Sequence, residues 1–178
     1  MCTARRTRRV ATERRTARGD CDSLQLGQTP SAYRTMKFAA EFLATFCTAI
    51  FAGAAVYINA VEHPARIECG TSLAATVFGP SYRRAAIMQA SLASAAFVAA
   101  VAAWHMTAVL SWLIGASLIV AVIPFTLIVV LPLNKRLLDP ILDRNSPAAL
   151  RLLTRWGHLH MVRTVLSVAA LAVFLFLL

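Results

Sequence analysis

Long apolar runs separated by short polar gaps dominate this chain, at about 38–60, 82–104, 108–131 and 157–178. A membrane-spanning helix needs about twenty apolar residues. The pattern therefore predicts an all-α membrane protein, a bundle of four transmembrane helices over residues 36–178. The first run carries Gly53-Ala54-Ala55, a small-residue face suited to close helix packing, with Tyr57 and Asn59 near its end. Val61-Glu62-His63-Pro64 follows, and Pro64 is expected to end the helix or open a new turn. Residues 65–78 read as a mixed, partly helical loop closed by Gly79-Pro80, with the second helix starting near Pro80. From Ala90 to Ala103 that helix is almost all small residues. The link His105-Met106-Thr107 is so short that the second and third spans must form an antiparallel hairpin. Pro124 should kink the third span, because it cannot donate to the carbonyl of Val120. Asn145 or Ser146 caps the last helix, with Pro147 in its first turn. From there to Leu178 a helix is about 46 Å long, more than a bilayer core, so its first turns should lie at or outside the surface.

Composition adds the solvent. At 178 residues the chain is one domain, and 58% hydrophobic residues is too apolar for a soluble domain of this size. Residues 1–35 are rich in Arg, Thr, Ala and Gly and nearly devoid of large apolar side chains, so they are expected to be a disordered basic tail. Met36-Lys37 directly precedes the first span. Either translation starts at Met36, or the tail is a lipid-binding or targeting arm. The net charge of +10 is concentrated beside spans, which points to membrane lipids and orientation rather than to nucleic acid. Nine of the eighteen Lys and Arg fall in residues 1–37, and the other nine on the loop side. Without the tail, the positive-inside rule puts the 61–85 and 132–160 loops in the cytoplasm. The four cysteines, Cys2, Cys21, Cys47 and Cys69, show no CxxC spacing and no disulfide framework.

Polar residues at the span ends are distributed unequally. Both termini and the 104–107 link share one side. Tyr57, Asn59, Glu62, His63, Arg84, Gln89, Asn134, Trp156, His160 and Arg163 all fall toward the other. In the last helix Trp156, His160 and Arg163 lie at about 0°, 40° and 340°, on one face, while His158 points elsewhere. Only fifteen residues, 164–178, follow Arg163, so the arginine sits inside the hydrocarbon, where an ionisable side chain marks a candidate site. Glu62 is at the right depth to be its counter-ion. A metal held by His63, His160 and Glu62 has no supporting ligand spacing on one helix, and none is expected. The absence of an inverted repeat argues against a transporter.

Glu62-His63-Pro64-Ala65-Arg66, Pro80-Ser81-Tyr82-Arg83-Arg84-Ala85 with Met88-Gln89-Ala90, Leu131-Pro132-Leu133-Asn134, and Trp156 with His160-Met161-Val162-Arg163-Thr164 together resemble the anthrone oxygenase-like family of small four-helix membrane proteins. The resemblance covers about residues 36–178 and implies oxidation of anthrone-type polyketides to quinones by O₂, without metal, flavin or other cofactor. It also implies a multi-pass protein of a bacterial inner membrane acting on a small aromatic substrate. On that reading His160 is the base that removes the acidic C–H proton. Arg163, with Asn134 or Gln89, stabilises the oxyanion, Trp156 and Tyr82 line a flat pocket, and Glu62 lies beside them. The competing reading is non-enzymatic: an Arg163–Glu62 clamp fixes helix packing, Trp156 anchors the interface, Asn134 caps a helix end, and the cluster is structural or holds a lipid or quinone-like ligand.

Overall fold

The computed structural model describes the backbone of residues 4–177 and, from Pro30 onward, the side chains. The chain divides into two units, residues 1–39 and residues 40–178. Helix α1 is Ala4–Tyr57. The expectation of a disordered tail over 1–35 falls mainly on positions 1–29, whose side chains lie outside the described residues. In the first unit Thr35 Oγ1 donates to Ser31 O at 3.1 Å.

Four continuous helical runs, Pro30–Glu68, Thr71–Thr107, Leu110–Leu137 and Pro147–Leu175, are each long and apolar enough to cross a membrane. The first run ends in a π-helical turn, Ile58–Glu62, followed by α2, His63–Glu68. The second is α3, Thr71–Thr107. The third is α4, Leu110–Phe125, then a second π-helical turn, Thr126–Val130, then α5, Leu131–Leu137. The fourth is α6, Pro147–Leu175. Each π turn stops two residues before a proline, Pro64 or Pro132. A proline deprives the carbonyl four residues back of its donor, and the widened turn takes the backbone up differently. The chain closes it with His63 N–H to Ile58 O in one case and Leu131 N–H to Thr126 O in the other.

Several boundaries differ from those expected. Residues 65–78 are helical rather than a loop: α2 and α3 are joined by a tight turn at Cys69-Gly70, where Gly70 takes φ 102°. That left-handed conformation suits a residue without Cβ. Gly79-Pro80 therefore lies inside α3. A Cβ at Gly79 would sit 3.2 Å from Leu138 Cδ2, so the glycine is a notch for the end of the third run rather than a loop closure. The expected 105–107 link and the expected stop at 132–136 are helical as well, in α3 and α5, whereas the start of α6 follows the sequence. Ser146 caps α6 by accepting from Ala149 N–H at 3.2 Å, with Pro147 as first residue. The second and third runs turn back at Ala108-Val109, with Ala108 at φ 56° donating to Trp104 O at 2.7 Å.

All four runs of the second unit meet in the core. Cys47, Phe51 and Ala55 pack with Ala93 and Ala96 of α3, Ile119 and Val122 of α4, and Ala170 of α6. Toward the terminal side Ala100, Ala103, Trp112, Ala116 and Phe174 form a second layer, with Trp112 stacked on Phe174 at 5.1 Å. The buried alanines of α3 let backbones approach where lipid provides no hydrophobic drive. Thr45 and Thr48 turn their hydroxyls onto the carbonyls of Glu41 and Ala44, at 2.9 and 2.8 Å, so neither is left unbonded in an apolar setting. The outer surface is apolar: Ile87, Val98, Ile128 and Val165 are each more than half exposed. Such a surface is consistent with a multi-pass membrane protein.

Candidate functional site

A cavity of about 180 Å³ lies among the four runs on the polar half of the bundle. Trp156, His160 and Arg163 line it from α6, Tyr82 and Gln89 from α3, and Phe51, Ile58 and Glu62 from the first run. The α6 residues share one face as their spacing predicts, and each is buried, while His158 is exposed.

Arg163 is the ionisable group deepest in the wall. Its NH2 donates to Gln89 Oε1 at 2.5 Å, and its guanidinium carbon lies 5.8 Å from the centre of the Phe51 ring. No carboxylate pairs with it among the described residues. The expected Glu62 counter-ion is taken elsewhere: Glu62 accepts from Arg66, one helical turn on, and Arg66 also donates to Ser81 Oγ at 2.8 Å. The reason is local. Arg66 is an i,i+4 neighbour that reaches Glu62 at the partly buried rim, and an ion pair there costs less desolvation than a pair with the buried Arg163. Arg163 Nε and Gln89 Nε2 are both buried donors without a hydrogen-bond partner among the described residues.

His160 is held from the first run. Its Nδ1 is 2.6 Å from Asn59 Oδ1, Thr164 Oγ1 donates to the same oxygen at 2.7 Å, and Asn59 Nδ2 donates to Gly157 O at 3.1 Å. These contacts fix protons. Gly157 O can only accept, so the Asn59 atom facing it must be the amide nitrogen, and the atom facing His160 must be the oxygen. An acceptor at Nδ1 requires Nδ1–H. In the neutral ring the free lone pair is then on Nε2, which has no hydrogen-bond partner among the described residues. The ring lies 4.8 Å from that of Trp156, which also meets His63 at 5.2 Å and Phe78 edge-on at 5.4 Å. Tyr82 stacks flat on Phe78 at 5.8 Å. Gly157 makes room for this aromatic group: a Cβ there would fall 2.7 Å from His63 Nε2.

Of the residues singled out from the sequence, Trp156, His160, Arg163, Gln89, Tyr82 and Glu62 converge on the cavity. Asn134 does not line it. It is buried on α5, in a layer with Leu133, Leu137, Leu153 and Trp156, and its amide has no hydrogen-bond partner among the described residues. Of Asn134 and Gln89, it is Gln89 that reaches Arg163. Asn59, visible in the sequence only as one polar residue at a span end, proves to be the residue that orients His160. Its π-helical turn is what presents it to α6.

A bundle of four bilayer-length helices with a buried arginine, histidine and amides on one cavity defines a class of small helical membrane protein. The sequence profile of the anthrone oxygenase family matches residues 78–173, more than half of the chain, and the chain belongs to that family. The match takes in Tyr82, Gln89, Asn134, Trp156, His160 and Arg163, while Asn59 and Glu62 lie before it. No curated protein and no solved structure matches the chain.

Proposed function

We propose that this protein oxidises a fused-ring phenol of the anthrone type with O₂, in a bacterial inner membrane with the cavity's polar end toward the cytoplasm. One observation carries the reading: a cavity wall that offers unpaired hydrogen-bond donors from a cation and an amide beside an imidazole whose free nitrogen is an acceptor. That set complements a ligand with an anionic oxygen and a proton to lose. An anthrone's ring CH₂ is acidic because its conjugate base is a phenolate-like aromatic anion. His160 Nε2 accepts the proton, and Arg163 with Gln89 holds the oxygen on which the charge settles. The electron-rich anion reduces O₂. In the net reaction the CH₂ becomes C=O, one oxygen atom stays on carbon, and the other leaves as water with the two hydrogens. Trp156 and Tyr82 form the flat aromatic wall, and Glu62 closes the rim through Arg66. The cavity exceeds the roughly 150 Å³ void that takes benzene, and its substrate partner is a small aromatic molecule in a lipid surround.

Oxygen uptake by the purified protein with 1,8-dihydroxyanthrone, compared with His160→Ala, tests this. Uptake by the native chain and its loss in the variant is the expected result. Equal rates remove His160 from the mechanism. Binding of the corresponding quinone without any O₂ uptake favours a non-enzymatic carrier of quinone-like ligands.

A further inference from the structure

We propose that the cavity is filled sideways from the hydrocarbon layer, through a slot between α3 and the Thr126–Val130 π turn, by a neutral lipid-soluble molecule. The proposal rests on reading the cavity as a ligand site, and adds how the ligand reaches it. At the polar end Arg66 bridges Glu62 of the first run to Ser81 Oγ of α3. The side wall is different. Ala86, Ala90 and Leu127 line the cavity, yet Ala90 and Leu127 are also exposed on the outside of the bundle. A residue that borders the cavity and the surface together marks an opening.

The helices explain why a gap exists there. Below this level α3 and α4 pack closely, Ala93 and Ala96 against Ile119 and Val122. Past Pro124 the third run leaves α-helical geometry for a π turn, and α3 presents only methyl groups at Ala86 and Ala90 to fill the space. The side chains next to Ala86 and Leu127 in the chain are apolar and face outward: Ile87 is 73% and Ile128 74% exposed. Water gains nothing at such a surface, whereas hydrocarbon does. An ion would have to shed its hydration to pass. The admitted form is therefore neutral, and the ligand ionises after arrival, at Arg163.

The test uses the full chain in phosphatidylcholine nanodiscs and does not depend on turnover. Ala93→Cys puts a thiol on the buried cavity wall, and modification is read on the peptide containing residue 93, which separates it from the native Cys2, Cys21, Cys47 and Cys69. N-phenylmaleimide, which partitions into lipid, should react at least about tenfold faster than a sulfonated maleimide, because the sulfonate must be desolvated to enter. Adding Ala90→Phe should slow the phenyl reagent by about tenfold, since a ring fills the slot. Val122→Cys on the facing wall gives the same comparison should Ala93→Cys fold poorly. Equal rates for the two reagents, no labelling by either, or indifference to Ala90→Phe would each overturn the proposal. Failure of O₂ uptake alone would count against the proposed reaction and leave the labelling result standing.

Discussion

Replacing Asn59 by leucine keeps the side chain's size and removes its polar atoms. Three hydrogen bonds go with them: to Gly157 O at 3.1 Å, from His160 Nδ1 at 2.6 Å and from Thr164 Oγ1 at 2.7 Å. Interhelical hydrogen bonds in membrane proteins average about 0.6 kcal/mol each. Three are thus worth about 2 kcal/mol, roughly a thirtyfold change in the folding equilibrium. Thr164→Val removes only one of the three and should cost about a third as much. The two variants should diverge much more in activity than in stability. Without Asn59 nothing holds the proton on His160 Nδ1, the tautomer and ring orientation are released, and the loss should approach the roughly 10²–10⁴-fold worth of a positioned general base. Thr164→Val leaves the Asn59–His160 contact in place and should stay near the native rate. Thermal unfolding in detergent gives the first quantity, and O₂ uptake the second. Nitrogen NMR of labelled histidine reports the tautomer itself, with Nε2 unprotonated in the native protein. A folded Asn59→Leu protein with native O₂ uptake would refute the tautomer argument. Equal activity losses in both variants would reduce it to a stability effect.

Other outcomes follow from the same contacts. Arg163→Gln removes a buried charge that has no carboxylate partner, so thermal stability should hold or rise. Its affinity for 1,8-dihydroxyanthraquinone should nevertheless fall by roughly 10- to 100-fold, the worth of a charge-assisted hydrogen bond. Losing stability and keeping affinity would reverse the assignment of Arg163 from ligand contact to structural clamp. Glu62→Gln should change O₂ uptake by less than about fivefold, because its ion pair is with Arg66 and not with Arg163. A much larger loss would restore Glu62 as the partner of Arg163. Gly115→Ala drives a Cβ into the fully buried Phe174 ring, 2.7 Å from Cδ1 and 2.8 Å from Cζ, and should destabilise the bundle by about 1–3 kcal/mol in thermal unfolding. An unchanged unfolding midpoint would mean that Phe174 can yield there.

The spans could be read along the chain because bilayer thickness and backbone hydrogen bonding act on each segment separately. A run such as 108–131 has no alternative to a helix in lipid. The Ser146-Pro147 start of α6 is equally local, since the cap bonds a residue three positions on. So is the shared face of Trp156, His160 and Arg163, which is a matter of helical pitch. The second helix was read as starting too late because Gly79-Pro80 carries a loop signal. Only its neighbour Leu138, brought close by the fold, shows why a glycine belongs inside that helix. The pairings within the site were likewise beyond local reasoning. Gln89 and Arg163 are 74 positions apart, and Asn59 and His160 are 101. Depth made Glu62 the expected counter-ion of the arginine, with Gln89 and Asn134 as amide neighbours. The rotation of each helix about its axis brought Gln89 to it instead, while Glu62 turned to Arg66 on its own run. The sequence by itself determined four helices, their polar end and which residues of α6 look inward. The tertiary structure decided which side chains meet there, because partner choice depends on helix rotation and close packing that no single segment specifies.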